Sequence, residues 1–156
     1  MAPTAGEVLF VDTNVLLTAT DASRAGHGAA LRFLTGSWSR GYHLAASGQV
    51  LREYLVVATR PAAANGLGLA VADAVANVAE FLPLLHLCEE NAEVSRRLRR
   101  LAAAHGVSGA RLHDANIAAT MLAHGIRRVV TRNSGDFAPF DGIETVDFAE
   151  RAEPEA

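Results

Sequence analysis

Glu7-Val8-Leu9-Phe10-Val11-Asp12-Thr13-Asn14-Val15-Leu16-Leu17 is the stretch on which the reading of this chain turns. Residues 8–11 are apolar without alternation, the pattern of a strand buried on both faces, and they end abruptly in a carboxylate. Two small polar residues follow, then a second apolar segment. Asp12 is thus expected at the C-terminal end of a strand, the edge along which open α/β sheets hold their ligands. One aspartate there carries little weight alone, so the question becomes whether other acids converge on it.

Working outward, Ser23 is placed to cap a helix through Ala29, Leu31, Phe33 and Leu34, and residues 42–46 form a short strand candidate. Ser47 is placed to cap a helix over 49–60 that Pro61 stops. An Ala/Val-rich helix spans 69–81, and 84–87 is the next strand. Asn91 opens a helix that Gly106 closes in a left-handed cap, and a polar loop over 107–111 leads to a helix over 114–123. Strands at 128–131 and 144–147 complete a set of about five, alternating with helices. That alternation predicts an α/β fold with a parallel sheet flanked by helices. The domain is expected over 7–148, with residues 149–156 a frayed acidic tail.

Composition narrows the function classes. At 156 residues with 50% hydrophobic and 20% charged residues, the chain has enough apolar material for one globular core. No apolar run reaches the roughly 18 residues that span a bilayer. Residues 1–6 lack a basic and apolar leader pattern, so a cytoplasmic protein away from membranes is expected. Cys88 is the lone cysteine, which excludes an internal disulfide and a cysteine-based zinc cage. The net charge of −3 argues against a generic polyanion-binding coat, and all 14 basic residues other than histidine are arginine.

Two further acids sit where apolar residues belong. Glu53 has Val50 and Val57 at i−3 and i+4, and Asp114 has Ile117, Ala118 and Met121 at i+3, i+4 and i+7. An ionised carboxylate withdrawn from water costs several kcal/mol unless it is paired or bound to a metal. Simpler roles exist for each: Glu53 could pair with Arg52 or Arg32, Asp114 could be a helix N-cap, and Asp12 a turn former. A fourth candidate, Asp136, follows the strand at 128–131 in Thr131-Arg132-Asn133-Ser134-Gly135-Asp136, a segment that also reads as plain turn chemistry. Brought together, such acids would repel by about 3 kcal/mol per pair at ~5 Å and an effective dielectric of ~20. Cations relieve that repulsion. Oxygen donors without a His/Cys cage favour Mg²⁺ or Mn²⁺ over zinc, and such a site suits phosphodiester hydrolysis.

At these residues the chain resembles the PIN-domain family, specifically VapC-type toxins of bacterial toxin–antitoxin pairs. The resemblance rests on Val11-Asp12-Thr13-Asn14-Val15-Leu16, Val50-Leu51-Arg52-Glu53-Tyr54, His113-Asp114-Ala115-Asn116-Ile117-Ala118 and Val130-Thr131-Arg132-Asn133-Ser134-Gly135-Asp136-Phe137, four segments in the family's order. It implies a Mg²⁺- or Mn²⁺-dependent endoribonuclease, commonly a homodimer, inhibited by a small VapB-like antitoxin. It carries catalytic and metal-binding roles onto Asp12, Glu53 and Asp114. At the last position many relatives have an acid two residues after the threonine where this chain has Asn133. Asp136 is the carboxylate available instead, and whether one or two ions bind stays open. Asn14, Thr131 and Asn133 correspond to the polar residues around the ligands.

Rival families lack their required residues. Haloacid-dehalogenase-like phosphatases want a second Asp where Asn14 stands and a distant Lys, and response-regulator receivers and P-loop nucleotidases also use a Lys, which this chain does not contain. No G-x-G-x-x-G follows the first strand, and an HD phosphohydrolase needs further histidines on a helical fold. The alternative from another class is a non-catalytic PIN-fold module that binds RNA or protein. For RNA phosphates Arg132, beside Thr131, is the first candidate and Arg52 the second. The run Arg96, Arg97, Arg99 and Arg100 is read as a solvated helix face with Glu93 pairing to Arg97.

Overall fold

The protein is described here by a computed structural model covering residues 6–152. Five strands, β1 (Glu7–Val11), β2 (Tyr42–Ser47), β3 (Leu85–Cys88), β4 (Arg128–Val130) and β5 (Glu144–Val146), alternate with helices α1 (Thr13–Thr20), α2 (His27–Gly36), α3 (Gly48–Thr59), α4 (Val71–Phe81), α5 (Ala92–His105), α6 (Arg111–Ala123) and α7 (Phe148–Ala152). The strands form one sheet in the order β3-β2-β1-β4-β5, and every pairing is parallel. The expected α/β architecture is what the chain adopts. No helix among the described residues is long and apolar enough to cross a membrane.

Strand order explains why β1 is the most apolar segment. As the central strand it is covered on both faces, and Leu9, Phe10 and Val11 are fully buried. From β1 the chain steps outward to β2 and β3, then crosses back to β4 and β5 on the other side. Right-handed crossovers put the helices of the first two connections on one face and α5 with α6 on the other. Between β1 and β4 the winding direction reverses, and this leaves a crevice at the C-terminal ends of those two strands. In the register Val11 lies beside Val130, so the next residues, Asp12 and Thr131, emerge side by side at that crevice.

One helix was not anticipated, and three expectations about helix caps are corrected. The apolar segment after Asp12 is itself a helix, α1, for which Asp12 is the N-cap, accepting from the Thr13 backbone N–H over 2.8 Å. Helix α2 starts at His27 behind Gly26 (φ 84°), so Ser23 does not cap it; Ser23 donates to Asp21 instead. Ser47 holds the cap position of α3 without making a cap bond, and its hydroxyl is buried without a partner. Helix α6 starts three residues before Asp114, which removes the reading of Asp114 as an N-cap.

At the C-terminus, the residues expected to fray from Ala149 are helical as far as Ala152, because Phe148 and Ala152, four apart, are buried where α7 packs on α2. The remainder of that tail, and residues 1–5 of the leader reading, lie outside the described residues. Asn91 accepts from the Val94 backbone N–H over 3.2 Å, and Gly106 caps α5 at φ 61°, both as the sequence predicts. Glu93 pairs with Arg97 as expected, over 2.9 Å.

Candidate active site

Asp12 is fixed from three sides. Its Oδ1 caps α1, and its Oδ2 accepts from the Thr131 hydroxyl (2.9 Å) and from Asn14 Nδ2 (3.3 Å). Asn14 also donates to Thr131 Oγ1 (3.2 Å), and its own Oδ1 accepts from the Arg132 backbone N–H (3.2 Å). The Asn133 backbone N–H donates to the same threonine oxygen over 3.0 Å. Asn14 and Thr131 thereby stitch the end of β1 to the loop after β4. Asp12 is only 8% exposed, and burial raises its pKa, an effect the hydrogen bonds from Thr131 and Thr13 oppose and the charges of Glu53 and Asp136 reinforce.

Glu53 projects from the second turn of α3, and its partners are not arginines among the bonds described. Its Oε1 accepts from Gln49 Nε2 (2.9 Å), and its Oε2 from the Thr13 hydroxyl (3.3 Å). The His113 ring lies 3.8 Å away. Asp114, in the first turn of α6, has its pKa pushed up to about 6, first by burial and then by the charges of Asp136, Asp12 and Glu53, with Arg111 pulling the other way. Asp136 closes the 3-10 turn Ser134–Asp136, half-buried, with its N–H donated to the Asn133 carbonyl. Its charge acts on both Asp12 and Asp114. Asn133 is exposed and uncharged, so of the two candidates for the fourth position it is Asp136 whose charge acts on the other acids.

Four carboxylates from four separate elements thus reach into one another's field at the crevice between β1 and β4. The other end of β1 provides the contrast. There Glu7 is neutralised by Arg128 (2.7 Å) and Arg151 (2.9 Å), whereas no ion pair among the described residues reaches Asp12, Asp114 or Asp136. Also among the described residues, no three His, Cys, Asp or Glu side chains close round a single point as a ready-made cage. The acids lie within electrostatic reach of each other but not within ligand reach of a common centre. The fit is one of donor chemistry: carboxylate oxygens are the donors that Mg²⁺ or Mn²⁺ takes, one or two at a time with several waters kept, whereas structural zinc sites are built from Cys and His.

Arg132 is exposed, and its guanidinium donates to the Thr18 hydroxyl over 3.3 Å. It lines, with Thr131, Ser134, Asp147 and Phe148, a depression of about 510 Å³ that opens beside the acids rather than around them. Arg52 is exposed on α3.

Sequence reasoning missed Thr13, Gln49 and Asn116. Gln49 is 1% exposed, donates to Glu53 and accepts from Asn116 Nδ2 over 2.6 Å. The available signals were a Gln four residues before a Glu on a helix and an Asn two residues after Asp114, both common on solvated helices.

A family model described as PIN domain matches residues 9–142. No curated protein matches the chain in sequence. Among solved structures, VapBC2 from Rickettsia felis bound to a promoter DNA fragment is similar at 17% identity and TM-score 0.67, over 90% of this chain and 98% of that one. DNA-bound VapBC from Salmonella typhimurium is similar at 20% identity and TM-score 0.67, over 91% and 98%. Mycobacterium tuberculosis VapC20, a toxin that cleaves the sarcin-ricin loop, is similar at 22% identity and TM-score 0.63, over 86% and 98%. At these identities the likeness establishes the shared fold.

Proposed function

The chain belongs to the PIN domain family, and from that premise we propose that it is a Mg²⁺- or Mn²⁺-dependent endoribonuclease, the toxin of a toxin–antitoxin pair held in check by a small VapB-like antitoxin. A homodimer is part of the same reading. The observation that carries it is the convergence of the charges of Asp12, Glu53, Asp114 and Asp136 at the sheet's switch point, where no ion pair among the described residues reaches the three aspartates. The toxin assignment draws support from the fold shared with the VapBC complexes and VapC20.

Asp12, Asp114, Glu53 and Asp136 are the groups that would hold the ion. When bound, a divalent cation supplies an activated water and offsets the charge that builds on the phosphate and the leaving oxygen. Thr131 and Asn14 hold the Asp12 carboxylate in one orientation, and Thr13 and Gln49 do the same for Glu53. Orientation of this kind removes reorganisation from the reaction itself. Arg132, which lines the adjoining depression and is exposed, is placed to take a backbone phosphate, which confers affinity without choosing a sequence.

Purified protein given generic RNA tests the proposal. Cleavage in Mn²⁺ that disappears with EDTA and in Asp12→Asn supports it. Tight RNA binding without cleavage in excess Mn²⁺ contradicts it and favours a non-catalytic binding module.

A further inference from the structure

Gln49 makes a set of bonds that ties two acid-bearing helices together. Its side-chain Nε2 donates to Glu53 Oε1 and to the backbone carbonyl of His113, each over 2.9 Å. His113 immediately precedes Asp114. One amide group therefore grips the carboxylate on α3 with one hydrogen and the backbone beside the α6 aspartate with the other. The amide cannot turn round, because its Oε1 accepts from Asn116 Nδ2 over 2.6 Å. Asn116 Nδ2 also donates to Glu90 Oε1 (2.6 Å), and Glu90 Oε2 accepts from the Gln49 backbone N–H (3.2 Å). The Gln49 side chain has no water to fall back on, being 1% exposed, so each of these bonds is costly to lose.

We infer that Gln49, locked by Asn116 and Glu90, is a positioning residue: it fixes the Glu53 carboxylate relative to Asp114 and so sets how well the two can share a divalent ion. The inference rests on the reading of Glu53 and Asp114 as metal-binding acids. In a cluster that does not close into a cage by itself, the separation of the acids is what an incoming ion has to work with. A strut that holds both helices at the acids determines that separation more directly than core packing further along them does. Outer partners of this kind commonly govern metal affinity by about 10- to 100-fold. Glu90 completes the strut from beyond the end of β3, which links a third connection of the fold to the site.

The test is Mn²⁺ binding by calorimetry on the metal-free protein without RNA, for wild type, Gln49→Met, Asn116→Ala and Glu53→Gln, with melting temperature measured alongside. Gln49→Met keeps side-chain length and removes both donors, while Asn116→Ala frees the amide to rotate and serves if Gln49→Met does not fold. The expected result is a Mn²⁺ dissociation constant at least about tenfold weaker in Gln49→Met and several-fold weaker in Asn116→Ala. RNA cleavage by both should recover as Mn²⁺ is raised, whereas in Glu53→Gln it should not. Melting temperatures well above the assay temperature in both variants without Mn²⁺ separate that rescue from simple restabilisation of the fold by the ion. Wild-type Mn²⁺ affinity in a folded Gln49→Met, with Glu53→Gln impaired, overturns the inference and leaves the nuclease reading standing. Equal binding by Glu53→Gln removes Glu53 as a ligand and overturns the inference alone, whereas failure of wild type to bind Mn²⁺ overturns the nuclease reading with it.

Discussion

The Thr131 hydroxyl donates to Asp12 Oδ2 over 2.9 Å, joining residues 119 positions apart in sequence at the one place where the winding of the sheet reverses. The same oxygen accepts from Asn14 Nδ2 and from the Asn133 backbone N–H. Thr131→Val keeps the shape and removes this hub. Because the bond from Thr131 lowers the Asp12 pKa, its loss leaves a carboxylate that is both less oriented and harder to ionise. The expected outcome is a fall in RNA cleavage of about 10- to 100-fold with a stability loss of about 1 kcal/mol, read from steady-state kinetics and urea unfolding.

Asp114 gives the metal-free protein a distinctive pH dependence. Its folded-state pKa of about 6 lies above the ordinary 3.8, so the folded state holds the proton more tightly than the unfolded chain does. The stability it contributes is fully present below about pH 4 and is lost as pH rises through about 6. Asp12, also raised, acts in the same direction. Asp114→Asn removes this loss and should stabilise the metal-free protein near pH 7 by about 1 kcal/mol, discounted for partial exposure, while abolishing cleavage. Urea midpoints in EDTA from pH 4.5 to 7.5 check the sign: the gap between variant and wild type should widen as pH rises, and parallel curves would contradict it.

A divalent ion should reverse that penalty. At about 100 times its dissociation constant Mn²⁺ stabilises the folded state by about 2.7 kcal/mol, a rise of about 5–10 °C in melting temperature for a domain of this size. Asp12→Asn should lose most of the rise, and thermal melts with Mn²⁺ and with EDTA measure it.

Arg132 and Arg52 separate affinity from chemistry. Arg132→Gln is expected to raise KM several-fold with kcat within about twofold, and to flatten the salt dependence of RNA binding by about 0.7 in log–log slope. Arg52→Gln should do less, since Arg52 is an exposed α3 residue and does not line the depression beside the acids. Filter binding across a salt series reads both.

The central strand and three acids, Asp12, Glu53 and Asp114, stood out in the sequence because each breaks a local pattern: a carboxylate ending a solid apolar run, or standing in an apolar helical stripe; Asp136, in a segment that reads equally as a turn, was suggested only by its place after a strand. Helix α1 did not stand out. Thr13-Asn14-Val15-Leu16-Leu17-Thr18-Ala19-Thr20 is buried nearly all round, so it shows no polar face to reveal a helical period, and its β-branched residues argue for strand. Helix α7 was hidden by the opposite fault, a short segment with two apolar anchors, Phe148 and Ala152, whose Arg151 pairs with the distant Glu7. The start of α6 was misplaced because Asp114 has the chemistry of a cap, while the observed cap position, Ala110, carries no capping side chain. Gln49 and Asn116 were illegible for a deeper reason: their meaning lies in meeting each other across 67 positions, which no local pattern records.

On the proposed function, acids from distant segments gather round a divalent ion at the β1–β4 crevice. Anomalous diffraction from crystals of the protein grown with Mn²⁺ tests it most directly. The expected result is a manganese peak bonded to Asp12 and Asp114, with Glu53 or Asp136 reaching it directly or through water. An empty crevice at saturating Mn²⁺, or manganese bound only elsewhere on the surface, would contradict it.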